Sequence, residues 1–161
     1  MSRLALALAI IILAAAAGYG QSNHPPLTFR SGQSMYIVAF RTFGYPYVLD
    51  ESCVACQRDP INYDLDAERK VRKRIEQWRF FKVADKVSDA DFVFLVRLDG
   101  SSMEGLAIPV DAYSRYFKDR LDLDALRNAA VGRYLIGPLK LPTLSRLSDR
   151  LVQQFREKVG P

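Results

Sequence analysis

Histidine, cysteine and long apolar runs are scarce in this chain, and each scarcity removes a class of chemistry. Among 161 residues there is one histidine, His24, and one pair of cysteines, Cys53 and Cys56. His24 precedes Pro25 and Pro26 in a polar stretch, so it reads as a solvated residue rather than a catalytic base. Without another base, neither a Ser-His-Asp nor a Cys-His nucleophile can be assembled, and no catalytic residue is expected. Two thiolates supply only half of a tetrahedral zinc site within one chain. A c-type haem attachment needs histidine after the second cysteine, where Gln57 stands. The sequence also has neither a glycine-rich phosphate loop nor a dinucleotide fingerprint, so no metal and no cofactor are expected.

The longest apolar run, Leu4 to Ala17, has about 14 residues, short of the roughly 20 that a membrane-spanning helix needs. Arg3 precedes it and small residues follow, which is the pattern of a secretory signal peptide over residues 1–20. Cleavage after Gly20 or after Ala17 satisfies the small-residue rule, and Gly20 is favoured. With no cysteine at the end of the run, the usual lipid attachment point is missing. The expectation is an exported protein, periplasmic or secreted, with no membrane span after signal cleavage. Residues 21–33, rich in proline and small polar residues, read as an extended lead-in, and residues 34–161 as a single domain.

Charge adds a bias. The net charge of +5 and a pI near 9.3 favour anionic partners. Export disfavours nucleic acid, which leaves an envelope or extracellular protein or an anionic surface component as the expected partner. The densest basic stretch lies in a helical pattern from Leu65 to Arg79, where Ala67, Val71, Ile75 and Trp78 share one face and Asp64 is placed to cap the start. The outward side carries Arg69, Lys70 and Lys73, the candidate anion or partner contacts. Arg72 stands four residues from both Glu68 and Glu76, where local ion pairs are expected. The acidic pairs Asp89 with Asp91 and Asp122 with Asp124 fall at a turn and a helix start, and read as capping and solvation rather than acid-base chemistry.

The remaining elements follow from apolar patterning. Met35 to Phe40 is β-branched and aromatic and reads as a buried strand; a long loop from Arg41 to Tyr63 follows. Phe80 to Val83 suggests a short strand and Phe92 to Leu98 a long one. The turn Asp99-Gly100-Ser101-Ser102 leads back into a strand near Leu106 to Val110, which Pro109 would confine to an edge or end early. Asp111 to Phe117 reads as a helical turn or more, and the stretch "DLDALRNAAVGRYL", from Asp122 to Leu135, with an Asp cap and apolar Leu123, Leu126 and Ala130, suggests a second helix. Leu144 to Val159 is the final helix, stopped by Gly160. This order predicts an α/β (α+β) two-layer sandwich: one small mixed sheet of about three to five strands with two or three helices packed on it.

The loop holds the sharpest question. Cys53 and Cys56 form a C-x-x-C pair in a chain read as exported, so they are candidates for a disulfide or for redox chemistry. Redox catalysis needs the first thiol at a helix N-terminus, yet Pro60 and Asn62 separate the pair from the helix that starts near Asp64. A local disulfide bracing the loop is the simpler reading.

The passage "RFFKVADKVSDADFVFLV", behind a strand and a basic helix, resembles the short strand, polar turn, Ala-Asp and long strand of exported bacterial envelope domains. Such domains include the N-terminal domain of the Tol-Pal translocation protein and the curli-secretion lipoprotein group. The resemblance spans roughly Met35 to Leu98, extends to the final helix, and implies a strand-helix-strand-strand core closed by a further helix that acts in envelope assembly or protein contacts without catalysis. This chain differs by its C-x-x-C loop and by lacking a lipid anchor. The expected function is therefore a non-enzymatic exported domain that contacts an envelope or extracellular partner. The alternative is a thiol-disulfide oxidoreductase with Cys53 attacking and Cys56 resolving.

Overall fold

The computed structural model describes residues 28–42, 61–118, 121–139 and 143–160. Its first strand, β1 (Ser34–Arg41), is apolar on both faces and lies inside the sheet. Two short strands share its outer edge: β2 (Asn62–Tyr63) runs antiparallel beside Phe40 and Arg41, and β3 (Lys82–Val83) runs parallel beside Ser34 and Met35.

Between them lies α1 (Leu65–Trp78), which begins where Asp64 accepts the Ala67 amide at 2.9 Å. It ends at Arg79, whose φ of 60° turns the chain out of the helix while its N–H still reaches the Ile75 carbonyl. Ala67, Val71 and Ile75 face the sheet, as the four-residue spacing predicts.

On its other side β1 pairs in parallel with β4 (Phe92–Asp99), from Met35 opposite Phe92 to Arg41 opposite Leu98. A two-residue turn with positive φ on Gly100 alone joins β4 to β5 (Ser102–Pro109), in antiparallel register from Asp99 opposite Ser102 to Phe92 opposite Pro109. The chain then forms α2 (Val110–Tyr113), one π-helical turn over Ser114–Lys118 and α3 (Leu123–Ala129), capped by Asp122. β6 (Gly132–Ile136) returns antiparallel to β5, and α4 (Leu144–Val159) closes the fold behind a Thr143 cap. The sheet order is β2-β1-β4-β5-β6, with β3 also on β1. Among the described residues β6 thus ends the sheet, and Lys158 of α4 donates from Nζ to its Arg133 carbonyl at 3.4 Å.

The mixed sheet with packed helices is the expected α+β sandwich, with six strands among the described residues in place of three to five. One expectation fails: β5 is not an edge strand, because β6 pairs with it from Met103 to Ala107. Pro109 is compatible with an interior strand since it is the last residue of β5 and lies past the reach of β6, so its missing N–H breaks no ladder bond.

Apolar residues fill both sheet faces. On one, α1 and α4 cover Met35, Ile37, Phe92, Phe94 and Tyr134. Phe155 of α4 sits at the centre of an aromatic cluster, stacked on Phe94 at 4.7 Å and on Phe81 at 5.5 Å, with Trp78 and Tyr134 edge-on. Phe29, within the stretch read as lead-in, packs edge-on against Phe155 at 5.6 Å. On the other face Val38, Phe40, Leu95, Leu106 and Ile108 lie under Tyr113, Phe117 and Leu126, so the segment from α2 to α3 covers what would otherwise be an exposed apolar surface.

Candidate functional site

The basic row of α1 splits into two sets with different work. Arg72 turns inward and donates to Asp85 at 3.0 Å and to the Ala84 carbonyl at 3.5 Å, tying the helix to the segment after β3. The expected i±4 partners lose to this longer-range one, although the Arg72 charge still acts on Glu68: burial raises the Glu68 pKa and Arg72 lowers it, with burial ahead. Arg74 donates to Asp149 and, at 3.1 Å, to Ser145, so it ties α1 to α4.

Arg69, Lys70 and Lys73 form the second set. Arg69 is 76 % exposed and makes only a surface pair with Asp66 at 3.1 Å, an interaction of small net worth. Lys73 is exposed and Lys70 half-buried, and neither ammonium has an ion-pair partner among the described residues. The guanidiniums of Arg146 and Arg150 on the exposed side of α4 are likewise unpaired among those residues. Both helices therefore present unneutralised cations on the outer side of one layer. Toward their C-terminal ends they bound an open groove of about 720 Å³, in which Arg156 lies 5.5 Å over the Trp78 ring beside Gln77 and Gln153.

The opposite face of the sheet carries a second charged feature, built from strand positions that sequence reasoning passed over. Glu104 of β5 is 1 % exposed and lies directly across from Arg97 of β4. Oε1 accepts from Arg127 Nε at 3.1 Å and Arg133 Nε at 2.7 Å; Oε2 accepts from Arg97 Nε at 2.9 Å and an Arg127 terminal nitrogen at 3.0 Å. Burial pushes the Glu104 pKa up, but hydrogen bonds and charge from Arg127 and Arg97 outweigh it and hold the carboxyl below its ordinary value. Arg97 also donates to Thr42 and Asp99, both at 3.2 Å, and Arg127 to Asp124 at 3.3 Å. The sequence signal for this cluster is a charge inside an apolar strand: Arg97 in "FVFLVRLD" and Glu104 in "SMEGLAIP".

The acidic pairs behave as caps and turn ligands. Asp122 accepts the Ala125 amide at 2.9 Å, and Asp91 accepts the Ser34 amide at 2.7 Å. Among the described residues no group of three or more His, Cys, Asp or Glu side chains is placed to hold a metal ion. Cys53, Cys56 and His24 lie outside the described residues, as does the stretch read as a signal peptide. No protein-family model, curated protein sequence or solved structure matches this chain.

Proposed function

We propose that the chain is an exported, non-enzymatic binding domain that contacts an anionic component of the cell envelope or extracellular space through the outward face of α1. The reading rests on one observation: α1 is anchored by Arg72 and Arg74, while Lys70 and Lys73 carry charge that no described acidic side chain neutralises. A helix held on both flanks keeps such charges in a fixed arrangement, and unpaired surface cations raise the local concentration of anionic partners. Export rests on the N-terminal pattern of Arg3 followed by the apolar run to Ala17.

The test is the double charge reversal Lys70→Glu/Lys73→Glu. Lys73 is exposed and Lys70 half-buried, and neither belongs to the buried stripe of Ala67, Val71 and Ile75, so stability should stay close to that of the parent, within about 1 kcal/mol. Salt-dependent retention on an immobilised polyanion, and cross-linking to envelope components in the exporting cell, should both be lost. Undiminished retention and cross-linking in the folded variant would reject the assignment of this surface.

A further inference from the structure

We infer that the arginine cluster around Glu104, on the sheet face opposite α1, binds a phosphate group through the terminal nitrogens of Arg133 and Arg97. Glu104 is saturated, since its two oxygens already accept four N–H donors. The guanidiniums are not. Arg133 uses only Nε, and Arg97 uses Nε and one terminal nitrogen, which leaves three terminal nitrogens without a partner among the described residues. Exposure rises across the cluster, from 15 % for the Arg97 side chain to 51 % for Arg133, so the cluster is most open to solvent at Arg133 of β6, beside exposed Leu135.

Charge favours a dianion. The one buried acid faces three guanidiniums, whereas Asp99 and Asp124 are far more exposed, and solvent and salt weaken what they offset. Within the protected part of the cluster, positive charge exceeds negative. Guanidinium forks match the oxygen geometry of phosphate and can bind it in a bidentate manner, and a phosphate monoester carries close to two negative charges near neutral pH. Glu104 is a positioning residue here: it holds each fork by its Nε edge and does not meet the ligand.

The full chain should bind inorganic phosphate at one saturable site in calorimetric titrations at constant ionic strength. Arg133→Gln should weaken binding at least tenfold, and Arg133→Lys, which keeps the charge but loses the fork, should weaken it too. Lys70→Glu/Lys73→Glu, on the other face, should bind phosphate like the parent. Absence of saturable binding, undiminished binding in folded Arg133→Gln, or an equal loss in the α1 variant would overturn the inference. Vesicles of phosphatidate in neutral lipid identify the source of the group once soluble phosphate binds. Sedimentation with them that Arg133→Gln abolishes assigns a lipid headgroup. Failure to sediment assigns a soluble phosphate ester.

Discussion

Gly105 of β5 stands so close to Phe94 of β4 that a β-carbon on it would lie 2.8 Å from the ring Cζ and 3.1 Å from a Leu151 methyl of α4. Phe94 cannot yield cheaply, because it is fully buried and stacked on Phe155. Gly105→Ala should destabilise the fold by about 1–3 kcal/mol, the usual cost of overpacking a filled core. Gly137, where an added β-carbon would meet nothing within 4 Å, is the control; its alanine variant should unfold within about 0.5 kcal/mol of the parent in urea.

Glu104→Gln should be among the most damaging single changes, since it leaves three guanidiniums converging on a neutral group. Removing one partner of a buried ionic network costs about 3–5 kcal/mol. The pH dependence has a definite sign. The folded-state pKa of Glu104 is lowered, so its contribution is present above the unfolded carboxylate value of about 4.3. It is lost as pH falls through the lower folded value. Urea midpoints measured from pH 7 downward should fall more steeply in the parent than in Glu104→Gln.

Alkaline pH acts through buried tyrosines. Burial raises the Tyr134 pKa to about 12, against about 10 in the unfolded chain. Its stabilising contribution is therefore complete below about pH 10 and declines as pH rises toward the folded value. Burial also raises Tyr113, with the neighbouring Tyr63 and Tyr36 adding to the effect. Tyr134→Phe should lessen the loss of stability between pH 10 and 12 without abolishing it, because Tyr113 remains.

Arg79 ends α1 in a left-handed conformation that glycine adopts freely. For a residue with a β-carbon this geometry costs roughly 1–2 kcal/mol. Glycine adds back up to about 1 kcal/mol of unfolded-state entropy. Arg79→Gly should therefore be neutral to mildly stabilising, by up to about 1 kcal/mol, and thermal denaturation would reveal the sign.

The elements with strong periodicity were legible. α4 spans the residues its heptad-like spacing marks, Leu144 to Val159, and α1 differs from its pattern only where Arg79 leaves the helix. β6 was not, because "GRYLI" follows an Asp-capped helical pattern directly and its alternation lasts five residues: Tyr134 and Ile136 inward, Arg133 and Leu135 outward. β5 begins at Ser102 rather than near Leu106; Met103 is the one large apolar residue in its first half, and a buried glutamate has no apolar signature. The candidate surface of α1 followed from local spacing, whereas Arg72 with Asp85 and Glu104 with Arg127 join residues 13 and 23 positions apart through tertiary packing. Periodicity along one helix or strand does not encode such partners.

The two margins of the sheet differ in what they offer a second chain. Along β1, β2 and β3 occupy the two ends of the edge from different points in the sequence, so another strand would first have to displace native pairing. The margin at β6 is five residues long, and its Arg133 carbonyl is held by a lysine from the last turn of α4. Charged side chains on short edges are a common barrier to strand addition and aggregation. The guard on the β6 margin thus comes from the final turn of α4, and fraying of that turn would release the Arg133 carbonyl.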